Sequence, residues 1–330
     1  VCGAGAGGGG DYAATTRFAA PLIGPMPRSF AGPWSSCGGL PAALLLIAAS
    51  PRHCMGQSLV AGTSHACSLK QGSRTAVCWG WDSFGQVAET PEGHRFKQLA
   101  AGALHTCGLL EEPSGAVACW GGNKAGQGSP PEGERFSSLH AGYWHTCGLR
   151  SDHTVACWGN DVHGQSGGAP VGERFSALTA GAAQTCGLRE ADGIALCWGK
   201  DPQATPPADQ RFRMITAGEY HTCGVRSEDD TAICWGSNHY GQLDAPKGER
   251  FRSLVAGGDH TCGLRKVDGT AVCWGLDKDS QGSPPPGERF RSLVAGVYYT
   301  CGVREDATLA CWGSNREGQA GPPVGHRTEL

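Results

Sequence analysis

The chain has 330 residues, a formal net charge of −3 and 17 cysteines. This near-neutral balance gives no electrostatic reason to expect nucleic acid or an anionic membrane as a partner, and the length alone allows one large domain or two small ones. The 53 glycines and 20 prolines would favour disorder if they were scattered, but they recur at fixed positions of a repeat and therefore indicate turns.

Residues 1–57 form a glycine-rich, low-complexity leader without any repeat. From Met26 onward the leader resembles a secretory signal peptide, because the basic Arg28 is followed by the apolar run LPAALLLIAA (residues 40–49) and small residues at its end. The run is too short to cross a bilayer as a helix. We therefore expect a signal peptide at about residues 26–50, with residues 1–25 lying upstream of it. The alternative is a disordered leader that carries no signal.

From Ala61 onward one unit repeats seven times, with a period of 37 to 40 residues. The third copy, residues 141–159, reads AGYWHTCGLRSDHTVACWG. Most units then continue with Gly-Gln and a proline-rich segment that ends in Gly-Glu-Arg-Phe, here called the GERF segment, as at residues 287–290. The seven units account for nearly the whole chain after residue 57, so we expect a single repeat domain at residues 58–330.

Each unit contains three strand signals, which are clearest in the sixth copy. They are RFRSLVAG (residues 250–257), HTCGLR (260–265) and TAVCWG (270–275). The second and third are joined by a tight hairpin in which Gly269 can take a positive φ. Three or four antiparallel strands at this period, without helical segments between them, are typical of a propeller blade. We therefore predict an all-β, seven-bladed β-propeller.

Side-chain alternation predicts how the cysteines pair. Cys147 shares one face of its strand with His145, and Cys157 faces it from the next strand, while Trp158 lies on the opposite face over Gly148. Cross-strand neighbours have a Cα spacing that suits a disulfide, worth roughly 2–4 kcal/mol each. We predict one disulfide within each blade: Cys67–Cys78, Cys107–Cys119, Cys147–Cys157, Cys186–Cys197, Cys223–Cys234, Cys262–Cys273 and Cys301–Cys311.

Paired cysteines at this density favour an oxidising compartment, so we expect a secreted or extracellular protein. The three cysteines left over are Cys2, Cys37 and Cys54.

A zinc site is the competing interpretation of the His-x-Cys strands at His105, His145, His221 and His260. Structural zinc usually takes four ligands, often from a close Cys-x2-Cys pair, and the sequence contains no such pair. The histidine is also replaced by Gln184 in the fourth unit and by Tyr299 in the seventh. We therefore favour a histidine that is hydrogen-bonded between blades, and we expect neither a metal nor a cofactor.

The pattern AG-x-x-HTCGLR, DGTA-x-CWG, N-x-x-GQ resembles the regulator-of-chromosome-condensation-like propeller superfamily. Its cysteine-bearing form, CGL followed by CWG in seven copies, is similar to the extracellular repeats of plant crinkly receptor kinases. The resemblance covers Ser58 to about Gly325 and implies the seven-bladed fold. It leaves the function open, because the superfamily includes a nuclear guanine-nucleotide exchange factor, a light receptor, a secreted β-lactamase inhibitor and receptor ectodomains.

Three classes of function stay open at this point. We favour a secreted, monomeric binding module that recognises a protein or glycan and does not insert into a membrane. An extracellular lyase or hydrolase with a site near the propeller axis is the second class, although no Ser/His/Asp order, carboxylate pair or phosphate loop stands out from the repeat. An intracellular scaffold of the guanine-nucleotide-exchange type is the third, and disulfides would be out of place there.

Strand direction predicts where a ligand binds. The third strand of a blade returns to the side on which the second began, so the loop after Trp-Gly lies beside the Ala-Gly loop. Both loops vary between units and carry aromatic residues of the kind found at binding hot spots. The candidate ligand-binding residues are Trp81, Phe84, Tyr143, Trp144, Glu219, Tyr220, His239, Tyr240, Asp259, Tyr298 and Tyr299, with Tyr143, Trp144 and Tyr220 as the leading anchors. The alternative is that these loops are merely exposed and that their aromatic residues pack on neighbouring loops.

The GERF segments occupy the opposite face, with Glu next to Arg in most units, as at Glu134 and Arg135. We expect this repeated pair to tie blade to blade. A ring of ion-binding sites is a weaker alternative, because the acid is replaced in three units by His94, Gln210 and His326.

The two ends of the repeat domain complement each other. Residues 325–330 match the start of a unit, and residues 58–62 supply its continuation. We therefore expect these ends to meet beside the first blade and to close the ring.

Overall fold

The computed structural model describes residues 58–200 and 205–330. The leader with its predicted signal peptide at about residues 26–50 lies outside the described residues, and so do Cys2, Cys37 and Cys54.

The described residues form 21 short strands. In chain order they are β1 Leu59–Ala61, β2 His65–Leu69, β3 Ala76–Gly80, β4 Phe96–Ala101, β5 His105–Leu110, β6 Val117–Gly121, β7 Ser138–Ala141, β8 His145–Leu149, β9 Val155–Gly159, β10 Phe175–Ala180, β11 Gln184–Arg189, β12 Ala195–Gly199, β13 Phe212–Ala217, β14 His221–Arg226, β15 Ala232–Gly236, β16 Phe251–Ala256, β17 His260–Arg265, β18 Ala271–Gly275, β19 Phe290–Ala295, β20 Tyr299–Arg304 and β21 Leu309–Gly313.

The strands form seven antiparallel sheets of three consecutive strands each, from β1-β2-β3 to β19-β20-β21. We call these sheets blades 1 to 7. In the part of the chain that the structure describes, no helix is long and apolar enough to cross a membrane. The predicted all-β, seven-bladed propeller is confirmed, with three strands in every blade.

The hairpins between the second and third strands set the register that pairs the cysteines. In blade 6, Gly269 has a φ of 73°, as the sequence predicts for this turn. In blade 3, Cys147 lies opposite Cys157, and a disulfide joins them with a Cα–Cα distance of 4.0 Å. The other six blades carry the same bridge, so all seven predicted disulfides are confirmed.

The hydrophobic core lies between the blades. At one such interface the disulfide face of blade 2, with Cys107 and Leu109, packs against Phe136, Leu139 and Trp158 of blade 3. Equivalent clusters fill the other six interfaces, including the one between blade 7 and blade 1. Because each blade buries both of its faces against neighbours, the fold requires a closed ring.

An aromatic slot in blades 2 to 7 explains the glycine in HTCGLR. A Cβ at Gly148 would lie 2.2 Å from Cδ1 of Phe136, so the ring of the GERF phenylalanine lies directly on this glycine. Phe136 in turn packs on Trp158, with 5.5 Å between ring centroids. The prediction that Trp158 itself covers Gly148 was wrong, because the phenylalanine from the preceding segment lies between them.

Blade 1 is the exception, and it shows how the ring closes. Its GERF-like segment comes from the C-terminus, where Thr328 takes the place of phenylalanine, and Ser68 takes the place of glycine. The Thr328 N–H donates to Ala307 O of blade 7 at 3.1 Å, and the Thr328 hydroxyl donates to Ser58 O at 3.0 Å. Ser68 Oγ is hydrogen-bonded to His326 Nε2 at 2.6 Å. The two ends therefore meet beside blade 1, as predicted.

The acid of the GERF segment pairs within its own blade. Glu134 binds the guanidinium of Arg150 through two hydrogen bonds of 2.7 and 3.0 Å, and Glu288 does the same with Arg304. The prediction that this acid ties one blade to the next was therefore wrong. Backbone hydrogen bonds link neighbouring blades in this region, such as the one from Phe136 N–H to Gly115 O at 2.9 Å.

Candidate binding surface

The two variable loops of each blade lie side by side, as strand direction predicts. The residue after Trp-Gly donates its backbone N–H to the last residue of the Ala-Gly loop: Asn160 to Trp144 O, Ser237 to Tyr220 O and Ser314 to Tyr298 O, each at 2.8 Å. We call the surface that these two sets of loops form the loop face.

The Ala-Gly loops of successive blades are also hydrogen-bonded to one another around the axis. Tyr143 N–H donates to Gly181 O, Ala182 N–H to Glu219 O and Glu219 N–H to Gly257 O, each at 3.1 Å. These loops line a cavity of about 80 Å³ at the mouth of the axial channel. The face is therefore held together by backbone hydrogen bonds, which leave the loop side chains free to differ from blade to blade.

Tyr143 reaches from blade 3 to blade 5. Its hydroxyl donates to Glu219 Oε2 at 2.9 Å, over the blade 4 loop, in which Ala182 and Ala183 leave room for the ring. Burial and the Glu219 charge both raise the pKa of Tyr143, so the phenol keeps its proton. Tyr143 therefore serves to brace the mouth, and its hydroxyl already has an acceptor within the protein.

The exposed aromatic side chains of the loop face are Tyr220, Tyr240 and Tyr298, with 39%, 54% and 44% of their surface accessible. Two acids lie among them. Hydrogen bonding with Glu219 raises the pKa of Tyr220 to about 12, and burial together with the charges of Glu219 and Asp259 raises that of Tyr298. We call these five residues the acid–tyrosine patch.

Asp259 is half-buried at the centre of these interactions. Burial, and then repulsion from Glu219, raise its pKa, while the charge of the exposed His239 lowers it. Asp259 Oδ1 accepts a hydrogen bond from Gln242 Nε2 at 3.0 Å. Gln242 is the fully buried glutamine of the repeated Gly-Gln. Sequence reasoning missed its contact with Asp259, because a residue that recurs in most units indicates structure alone.

Three other candidate residues of the loop face lie outside this patch. Trp81 and Phe84 pack edge to face at 5.5 Å, and Lys124 Nζ lies 5.9 Å from the Phe84 ring centroid. Trp144 is half-buried in blade 3. The aromatic surface of Trp81 and Phe84 is thus partly covered by their own neighbours, as the alternative interpretation of the loops expects.

Tyr299 cannot contact a ligand, and its assignment to the binding site was wrong. It is fully buried, and its hydroxyl donates to His65 O of blade 1 at 2.5 Å. Tyr299 is the first residue of β20, where strand alternation turns the side chain into the interface between blades 7 and 1. It therefore occupies the position that histidine holds in other blades.

The histidines at this position form a buried belt between blades. His145 Nε2 lies 2.8 Å from Thr185 Oγ1, and the Thr185 hydroxyl donates to Gln165 O at 2.8 Å. Because the threonine has one proton to donate, Nε2 of His145 carries the proton in its bond to Thr185, and Nδ1 is unprotonated. His65, His105, His221 and His260 make the same bond to a threonine of the next blade.

Burial lowers the pKa of every belt histidine. The values are about 4 for His65, His145 and His260, and about 3 for His105 and His221. These side chains are therefore neutral groups that are hydrogen-bonded between blades, as predicted. Within residues 58–200 and 205–330, no three metal-ligating side chains come together.

The axial channel below the mouth encloses about 140 Å³. Its lining is mostly alanine and valine, and His140 is the titratable side chain among the described residues that line it. Burial lowers the pKa of His140 to about 4. This lining offers no pair of acid and base groups for a hydrolase or lyase mechanism.

Comparison with known proteins agrees with this architecture. The family model for the regulator of chromosome condensation (RCC1) repeat matches residues 96–127, 136–165, 215–242, 251–281 and 290–319. No curated protein matches the chain by sequence.

Two plant receptor-kinase structures are similar to the chain. The entire ectodomain of receptor kinase CR4 from Physcomitrella patens is 31% identical, with a TM-score of 0.69 over 78% of this chain and 74% of that one. The CRINKLY WD40 ectodomain of ACR4 from Arabidopsis thaliana is 32% identical, with a TM-score of 0.67 over 78% of this chain and 94% of that one.

The yeast protein RCC1 (Prp20), solved with Kap60, shares the fold. It is 18% identical, with a TM-score of 0.64 over 85% of each chain.

Proposed function

We propose, from the premise that this chain belongs to the RCC1-repeat β-propeller family, that it is an extracellular binding module that recognises a protein partner through its loop face. Its similarity to two plant receptor-kinase ectodomains supports an extracellular role. Seven disulfides support the same compartment, because a reducing cytosol would not keep them. In this proposal the propeller at residues 58–330 is secreted behind the signal peptide at about residues 26–50.

The observation that carries the proposal is the contrast between strands and loops. The strands repeat nearly the same residues in every blade, whereas the loop face gathers Tyr220, Tyr240 and Tyr298, all exposed, around two acids. Tyrosine offers a large, rigid surface with a polar end, and it is enriched at binding hot spots. Nothing in the fold requires these three aromatic residues, because the core lies between the blades.

We further propose that the module acts as a monomer. In support, the C-terminal residues complete blade 1 of their own chain through the Thr328 hydrogen bonds, so closing the ring of described strands needs no strand from another copy.

Capture of a partner on the immobilised full chain tests the proposal. The full chain is expressed with its disulfides in a eukaryotic host, and extracellular fluid is passed over wild type, Tyr220→Ala, Tyr298→Ala and Val267→Ala. Val267 is the matched control, because it is 86% exposed but lies in a hairpin on the GERF face.

Truncating a hot-spot aromatic residue typically weakens binding by about 2 kcal/mol or more, whereas an exposed residue contributes little to folding. We therefore expect a partner retained by wild type and by Val267→Ala but lost from both tyrosine variants, with melting temperatures unchanged. Retention by all four proteins would contradict a loop-face site.

A further inference from the structure

The acid–tyrosine patch also indicates the chemistry of the partner. This inference rests on the proposed function, since it concerns the same loop face. Tyr220 and Tyr298 are 39% and 44% exposed. The loops that carry Glu219, Asp259 and Tyr298 are hydrogen-bonded in succession, from Glu219 N–H to Gly257 O at 3.1 Å and from Gly258 N–H to Val297 O at 3.3 Å. The acids and the aromatic surfaces therefore belong to one patch on blades 5 to 7.

The two acids of the patch lack a basic partner of the kind that acids elsewhere in the fold possess. On the GERF face, Glu134 pairs with Arg150 and Asp230 with Arg213. Within the described residues neither Glu219 nor Asp259 forms an ion pair with lysine or arginine. Their hydrogen-bond donors are neutral: the Tyr143 hydroxyl for Glu219 and the Gln242 amide for Asp259.

This arrangement holds two like charges close together. Partial burial, and then repulsion from Glu219, raise the pKa of Asp259, which means that its charged form is less stable here than in water. His239 is the nearby basic side chain that acts on Asp259, and it lies exposed at the edge of the patch. A cation that arrives with a ligand relieves the repulsion, whereas an anion adds to it.

Two tyrosines of the patch, Tyr220 and Tyr298, remain neutral at physiological pH. Hydrogen bonding with Glu219 raises the pKa of Tyr220 to about 12, and burial raises that of Tyr298. A protonated phenol offers an aromatic face to a cation and a hydroxyl that donates a hydrogen bond. Arginine benefits most from such a surface, because its planar guanidinium stacks on aromatic rings and donates several hydrogen bonds to carboxylates.

We infer that the acid–tyrosine patch binds a basic segment of a protein partner, in which arginine or lysine side chains meet Glu219 and Asp259 and pack on Tyr220 and Tyr298. Charge complementarity favours this occupant over an acidic peptide, a sulfated glycan or a nucleic acid, all of which would bring further negative charge to the two acids.

A pair of matched peptides tests the inference. The probes are acetylated hexa-arginine amide and the same peptide with citrulline at every position, which keeps the side-chain shape and removes the charge. Each is titrated by calorimetry, at low ionic strength, into the full disulfide-bonded chain and two double variants. The first variant is Glu219→Gln/Asp259→Asn, in which glutamine retains an acceptor for Tyr143. The control is Glu92→Gln/Glu132→Gln, which changes the net charge equally at exposed turns of the GERF face.

We expect the arginine peptide to bind wild type and the Glu92→Gln/Glu132→Gln control alike, and to bind the Glu219→Gln/Asp259→Asn variant about tenfold more weakly. The citrulline peptide should show no measurable binding to any of them. Equal affinity of the arginine peptide for both double variants would overturn the inference, and so would equal affinity of the two peptides for wild type.

The capture assay separates this inference from the proposed function. If the Glu219→Gln/Asp259→Asn variant retains the partner and Tyr220→Ala loses it, the loop-face site stands but the partner does not bind through a basic segment. If every variant retains the partner, the proposal of a loop-face site is itself contradicted. Loss from both the acid and the tyrosine variants, with retention by the Glu92→Gln/Glu132→Gln control, is the result that the inference requires.

Discussion

Replacing one belt histidine should change how stability depends on pH. His145 has a pKa lowered by burial from 6.5 to about 4, so the unfolded chain binds a proton at pH 5 that the folded chain largely does not. The stability that this histidine contributes is present above pH 6.5 and is lost as the pH falls towards 4. Between pH 7.5 and pH 5 the loss is about 2 kcal/mol.

Glutamine is the substitution that the fold itself suggests. Gln184 occupies the belt position in blade 4, where it is fully buried and its Nε2 donates to Gly218 O at 3.4 Å. We expect His145→Gln to fold, and its melting temperature to fall less than that of wild type between pH 7.5 and pH 5. The difference should be about 4 °C or more, because about 1 kcal/mol corresponds to about 2–4 °C in a domain of this size.

The measurement is a series of thermal melts followed by near-ultraviolet circular dichroism. His163→Gln is the matched control, because it makes the same substitution at an exposed histidine outside the buried belt. If His145→Gln loses as many degrees as wild type on acidification, His145 is not a source of acid sensitivity and its lowered pKa is contradicted.

Three further predictions concern the ring. Thr328→Phe alone should lower stability by about 1–3 kcal/mol, because the phenylalanine ring would meet the side chain of Ser68. Adding Ser68→Gly should recover most of the lost stability, and additive effects of the two substitutions would contradict the aromatic slot. Deleting residues 325–330 should lower the melting temperature, since the hydrogen bonds that complete blade 1 are lost, and an unchanged value would argue against closure there. Replacing both Cys147 and Cys157 with alanine should cost about 3 kcal/mol in chemical denaturation, and a loss near zero would contradict a stabilising bridge in blade 3.

The fold was predictable because one unit is repeated seven times in the sequence. A strand pattern that is ambiguous in one copy becomes clear when the Gly269 hairpin and the cysteine spacing recur at the same interval. Strand alternation then placed Cys147 opposite Cys157 without any tertiary information. Blade closure was predictable for the same reason, since the C-terminus repeats the beginning of a unit.

The errors arose where a side chain meets a different segment. Alternation along β8 and β9 gives the face of Trp158 but does not reveal that Phe136 comes between it and Gly148. Glu134 pairs with Arg150 of its own blade, sixteen residues away, rather than tying its blade to the next. Such pairings depend on how the GERF segment approaches its blade, which periodicity does not specify.

The candidate surface was predictable only in outline. Its position follows from strand direction, but the distinction between exposed and buried tyrosines does not. Tyr298 and Tyr299 are adjacent in sequence, yet one is 44% exposed and the other is fully buried. The bridge from Tyr143 to Glu219 joins residues 76 positions apart, over a small blade 4 loop, and no local pattern indicates it.

The most direct test of the account is an amide hydrogen-exchange footprint of the full chain, measured with and without the partner that it captures. If the partner binds the loop face, amide exchange should slow around Glu219 and Tyr220, in residues 238–240, and around Asp259 and Tyr298. The exchange rates of the GERF segments, such as residues 287–290, and of the hairpin that holds Val267 should not change. Protection confined to the GERF segments, with the loop face unaffected, would contradict the account.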